Sequence, residues 1–190
     1  MKRSFLLIVA SIVFPLASDG QAAPRSLQDL VESCARRIHI AHDVALSKWD
    51  NGSPVEDAAR EAQVIQNAVS ATQSKGLDAA WVTEFFRAQI EANKVVQYAL
   101  LAEWRRAGKA PEHQPVNLKA TIRPELDQLQ TQLIAELDEA STLRAQPQCP
   151  AIVAQAIGDF LTMHHEPHGS PESIVDSIAL DRALGTFCAH

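Results

Sequence analysis

Apolar residues recur every three or four positions along most of this chain, the spacing of one helical face. Leu27, Leu30, Val31, Cys34, Ile38, Ala41, Ala45 and Trp49 predict a helix over 26–49. Asn51-Gly52-Ser53-Pro54 stops it, because Asn and Gly favour helix ends and Pro54 blocks continuation. A second helix is expected over 55–74, with Ala58, Ala62, Ile65, Ala68 and Val69 inward. Lys75-Gly76-Leu77 closes it, and Asp78 is a good N-cap for the next. That third helix, 79–106, carries Trp81, Val82, Phe85, Phe86, Ile90, Val95, Val96, Ala99 and Leu100. Gly108, Pro111 and Pro115 mark 107–117 as a polar linker. A fourth helix follows to about Leu143, with Leu126, Leu129, Leu133, Leu137 and Ala140 inward and Pro124 in its first turn. Gln146-Pro147-Gln148-Cys149-Pro150 interrupts the chain, and shorter helices over 151–163 and 172–187 complete it. Strand alternation is nearly absent, and there is no internal repeat. The expected fold is all-α: a single-domain helical bundle of about six helices.

The first residues read differently. Lys2 and Arg3 precede an apolar run from Phe5 to Ala17, and small residues follow at Gly20 and Ala22. This is the order of a secretory signal peptide over 1–22, with cleavage after Ala22, or after Ala23. The run is shorter than the roughly 20 residues of a membrane span, a retained anchor being the alternative reading. The domain then covers 23–190, and losing Lys2, Arg3 and Asp19 takes the net charge from −6 to −7. Such an acidic chain suits neither nucleic acid nor an anionic membrane. The expected location is periplasmic or secreted. Export permits a disulfide. Cys149 and Cys188 are the expected pair, because they flank the last helical section at helix boundaries. Cys34 falls on a core-facing position and is expected to be a buried free thiol. Closing the Cys149–Cys188 loop contributes roughly 4 kcal/mol on a chain-entropy argument.

Bundle helices turn charges outward, so charges close to apolar stripes carry the information. Arg37 and Lys48 lie eleven residues apart, three turns with only about 20° of drift, and so face one way. Asp57, Arg60 and Glu61 have i, i+3, i+4 spacing and share a side of the second helix. Asn93 and Gln97 are an i, i+4 amide pair among Ile90, Val95 and Val96, and Arg123 opens the fourth helix. Singly, each has an ordinary reading: a solvated cation, a surface ion-pair cluster, or an amide pair joining two helices.

Jointly, the order Arg37, Lys48, Asp57, Arg60-Glu61, Asn93-x-x-x-Gln97, Arg123 resembles the all-helical, AroQ-type chorismate mutases, and specifically their secreted subgroup. The strings Arg37-Ile38 through Val44-Ala45 to Lys48-Trp49, Pro54-Val55-Glu56-Asp57 to Arg60-Glu61, and Gln89-Ile90-Glu91-Ala92-Asn93-Lys94 to Gln97-Tyr98 carry the likeness. It extends over about 27–130; beyond that, cysteine placement alone supports it.

The resemblance implies conversion of chorismate, the small-molecule substrate, to prephenate, with no cofactor and no metal. It assigns Lys48, Gln97, Arg60 and Arg37 to catalysis. Arg37 and Arg123 would hold substrate carboxylates, since guanidinium makes bidentate contacts that Lys cannot; which arginine takes which carboxylate stays open. Lys48 and Gln97 would donate to the ether oxygen, and Arg60 would add positive potential. Asp57 and Glu61 would receive the ring hydroxyl, and Asn93 would take the small polar position before Gln97, often Ser or Thr in relatives. Val64 departs from the subgroup, in which some members carry a substrate-contacting glutamine at that position; that hydrogen bond is absent or comes from elsewhere. The chain is long enough for one protomer to supply a whole pocket, and a homodimer is expected. His164-His165-Glu166-Pro167-His168 resembles a metal cluster, but its spacing matches no standard site. His39 and His42 flank the active face and read as surface or packing residues. Two other classes compete: an exported module that binds a dicarboxylate without turnover, and a structural bundle whose charges diverge into solvent.

Overall fold

A computed structural model describes residues 23–164 and 171–188. Among these residues six α-helices run in order: α1 (Arg25–Asn51), α2 (Ala58–Thr72), α3 (Ala79–Ala107), α4 (Arg123–Ala140), α5 (Cys149–Met163) and α6 (Pro171–Leu184). A π-helical turn, Leu118–Ile122, leads into α4. No strand occurs among the described residues. The all-α reading is right. The predicted signal segment lies outside the described residues, as do His165, Glu166 and His168.

The helix boundaries have chemical causes. Gly52 takes the left-handed conformation at φ 66° and its N–H returns to Lys48 O, ending α1 two residues later than its apolar stripe suggests. Asp57 accepts from Arg60 N at 3.1 Å and so caps α2. This corrects the expected start at Val55: that residue is buried in the α1–α2 loop, and the helix begins at Ala58. The inward face of α2 is Val64, Ala68 and Thr72, whereas Ala58 and Ala62 are exposed. Asp78 caps α3 through Trp81 N at 2.8 Å, as its position predicts. Asn117 accepts from Lys119 N and Ala120 N, which starts the π turn and fixes where Arg123 emerges.

The central helix is α1, which packs against α3, α4, α5 and α6, while α2 lies across α3 and α4. Leu27, Leu30, Val31, Phe85, Phe86, Leu133 and Leu137 are fully enclosed in one continuous core. Truncating such a leucine to alanine costs about 2–5 kcal/mol. Val95, placed inward by periodicity, is instead 37 % exposed. The C-terminal section is fastened at several points. Trp81 Nε1 donates to Phe187 O at 3.0 Å, and Gln89 Nε2 donates to Ala183 O at 3.0 Å. Cys149 and Cys188 form the expected disulfide, and Cys34 is free and buried. Among the described residues no helix is long and apolar enough to cross a membrane.

Candidate active site

All eight residues singled out in the sequence line one pocket between α1, α2, α3 and the start of α4. Arg37 and Lys48 come from one face of α1, Asp57, Arg60 and Glu61 from the first turn of α2, Asn93 and Gln97 from α3, and Arg123 from α4. Val44, Val55, Ile90, Leu118 and Leu126 supply its apolar walls. Those walls lower the local dielectric and strengthen every charge interaction inside.

Arg37 is 6 % exposed, and its Nε and Nη1 have no hydrogen-bond partner among the described residues. Burial is the main force pushing its guanidinium down to about 10; the like charge of Arg60 adds to this, and Asp127 opposes it. It therefore stays charged at neutral pH, with two idle donors. Lys48 is equally enclosed and donates through Nζ to Val55 O at 2.5 Å. Burial lowers its pKa below the ordinary lysine value, against the pull of Asp57, Glu56 and Glu61.

The other cations hold carboxylates. Arg60 Nη2 lies 2.7 Å from Asp127 Oδ1, and Arg123 Nη2 lies 3.8 Å from Asp57 Oδ2. Lys94 bridges Glu91 at 2.7 Å and Glu61 at 3.4 Å. Glu61 Oε1 also accepts from the backbone N–H of the N-cap Asp57 at 3.2 Å, which fixes the Glu61 carboxylate against the start of α2. Asn93 Nδ2 donates to Arg37 O at 3.0 Å, and Gln97 Nε2 donates to Asn93 Oδ1 at 2.5 Å.

Three polar or charged pocket residues escape the sequence reading as site residues: Lys94, Asp127 and Gln130. A signal exists for two of them. Asp127 and Gln130 lie four and seven residues after Arg123, on the same face of α4. Gln130 is buried and donates to Val64 O at 3.3 Å, so an amide does reach the side of the pocket where Val64 offers no polar group.

The described histidines do not line this pocket. His42 pairs with Asp176 at 3.0 Å, joining α1 to α6, and its ring neighbours that of His39. His164 bonds Phe160 O. Among the described residues no group of three or more His, Cys, Asp or Glu is placed to hold a metal ion.

Comparison with known proteins gives this geometry a family. The family model described as chorismate mutase type II matches residues 28–98, which carry seven of the eight site residues. The secreted chorismate mutase of Mycobacterium tuberculosis is 28 % identical over 187 residues, covering 96 % of this chain and 87 % of that protein. The secreted chorismate mutase of Yersinia pestis is 30 % identical over 134 residues, covering 70 % of this chain and 69 % of that protein. A crystal structure of chorismate mutase from Burkholderia phymatum superposes with a TM-score of 0.80 at 42 % identity, covering 87 % of this chain and 97 % of that one. With fold, sequence and one assembled cationic pocket in agreement, the chain belongs to the chorismate mutase type II family.

Proposed function

We propose that this chain is an exported chorismate mutase whose single-chain pocket rearranges chorismate to prephenate by electrostatic stabilisation and positioning. The observation that carries the reading is the pocket's charge balance. Arg60, Lys94 and Arg123 are paired with carboxylates, whereas Arg37 and Lys48 stand in no ion pair among the described residues. This leaves a surplus of two positive charges inside a chain whose formal net charge is −6. Chorismate is a dicarboxylate, so it neutralises that surplus.

In the reaction the ether C–O bond of chorismate breaks while a C–C bond forms within the same molecule. No external nucleophile or proton donor enters the balance. The protein must hold the compact conformer and stabilise the negative charge that grows on the ether oxygen. A rate enhancement of ~10⁶ needs ~8 kcal/mol from these two effects together. Arg37 supplies idle, buried donors for a carboxylate. Arg123 exchanges its loose contact with Asp57 for the other. Lys48 turns from Val55 O toward the ether oxygen, which Gln97 approaches from α3. Arg60 adds positive potential; Glu61 and Asp57 accept from the ring hydroxyl.

Export is supported by the secreted relatives together with the Lys2-Arg3 start and the apolar run after it, and the mature chain would begin near Ala23. Assembly as a homodimer follows from the resemblance; every pocket residue named here comes from one chain, so catalysis does not require it. The test is loss of chorismate ultraviolet absorbance on adding the purified protein, with prephenate identified after acid conversion. Binding of chorismate without its depletion would refute the proposal.

A further inference from the structure

Gln97 lies beside a side chain that decides which way round its amide is held. Asn93 precedes it by one turn on α3, and Asn93 Nδ2 donates across the helix interface to Arg37 O at 3.0 Å. A backbone carbonyl only accepts, so the Asn93 amide has one orientation there, with nitrogen toward Arg37 and Oδ1 away. That oxygen meets Gln97, whose Nε2 donates to it at 2.5 Å and makes a longer contact with Asn93 O at 3.4 Å. Gln97 Oε1 is closed off from water and has no hydrogen-bond partner among the described residues, so none of them selects an orientation on that side. Turning the Gln97 amide over would set two carbonyl oxygens against each other.

We infer that Asn93 is a positioning residue: anchored on Arg37 O, it locks the Gln97 carboxamide with Nε2 on the Asn93 side, so that one hydrogen is held by Asn93 Oδ1 and the other, in only a long contact with Asn93 O at 3.4 Å, is released to substrate. The inference rests on the role proposed above for Gln97 at the ether oxygen. An unlocked amide is free to present Oε1, whose partial negative charge opposes the charge developing there. The lock also explains why an amide serves at this position. A hydroxyl both donates and accepts, and would leave the Gln97 orientation undecided.

The test is steady-state kinetics on Asn93→Ala, Gln97→Ala and the double variant, each checked for folding by thermal melting. Asn93→Ala should lower kcat by about tenfold with KM held within about twofold. Added to Gln97→Ala, it should cost no more than about a further twofold, because no amide remains to be oriented. Asn93→Ser gives the same readouts if the alanine variant does not fold. Losses that multiply in the double variant, or a raised KM with unchanged kcat, would overturn the inference and make Asn93 a direct substrate contact. An unchanged kcat in Gln97→Ala alone would instead remove the ether-oxygen role, and the lock with it.

Discussion

Replacing Arg37 with methionine should make the unliganded protein more stable while removing its activity. The guanidinium is 6 % exposed, and its Nε and Nη1 have no partner among the described residues. Burial, with the like charge of Arg60, pushes it from 12.5 down to about 10, which at about 1.4 kcal/mol per pH unit corresponds to a net penalty on the charged form of roughly 3–4 kcal/mol at most. A lowered pKa on a base means that the fold disfavours the charged form. That penalty is therefore present in full at neutral pH and is relieved only as pH rises past about 10. Methionine fills a similar volume and adapts to it. Exchanging an uncompensated buried charge for an apolar group should return ~1–3 kcal/mol. For a chain of this size that is a rise in Tm of roughly 3–8 °C. The substrate meanwhile loses a charge-assisted, bidentate partner, so kcat/KM should fall by about 10²-fold or more. Thermal melts and chorismate assays on the same preparations decide the matter. A lower Tm for Arg37→Met would show that its donors are satisfied in the free protein, and a normal kcat/KM would take Arg37 out of substrate binding.

Gln97→Glu should retain activity near pH 5 and lose it toward about pH 8, as the new carboxylate ionises beside the oxygen it ought to stabilise, whereas the wild type should stay nearly flat over that range; a pH–kcat profile that is flat for both would remove Gln97 from its role. Glu136 is buried between α1 and α4, and burial raises its pKa against the hydrogen bonds from Ser33 and Gln132. A raised acid favours its protonated form in the fold, so stability falls as pH rises through that raised pKa; Glu136→Gln should add roughly 1 kcal/mol at pH 7 and little at pH 4, read from denaturant midpoints. Reducing Cys149–Cys188 should cost about 2–4 kcal/mol of stability, yet leave kcat at 25 °C within about twofold, since the pocket is built from α1 to α4. In the same samples Cys34, whose thiol burial pushes up to about 12, should resist alkylation until the protein unfolds, as peptide mapping would show.

Much of this was legible in the sequence because two periodicities coincide on α1. Leu27, Leu30, Cys34, Ile38 and Ala41 mark the core face, and Arg37 and Lys48 sit on its edge three turns apart, where a buried cation needs a reason. The apolar side chain of Val55 suggests a start of α2 three residues ahead of the real one at Ala58. It is buried by the turn that Pro54 and Asp57 create, rather than by a helical face. Lys94, Asp127 and Gln130 look like solvated helix residues until α4 is known to cross α1 and α2; the Arg123 register carries that information for the last two, but only with the neighbouring helices in place. Val95 shows the converse error, an apolar residue adjoining the core stripe that faces outward. The His42–Asp176 contact joins residues 134 apart in sequence, and no local pattern predicts it.

The central claim is that a fixed positive charge, placed where negative charge appears only in the transition state, drives this reaction. The most direct test is kcat and KM for chorismate in wild type and Lys48→Ala, measured in the presence of EDTA. Both proteins should be insensitive to the chelator, and the variant should lose about 10²–10³-fold in kcat with a much smaller change in KM. A Lys48→Ala protein with normal kcat, or wild-type activity abolished by EDTA and restored by Zn²⁺, would contradict the account.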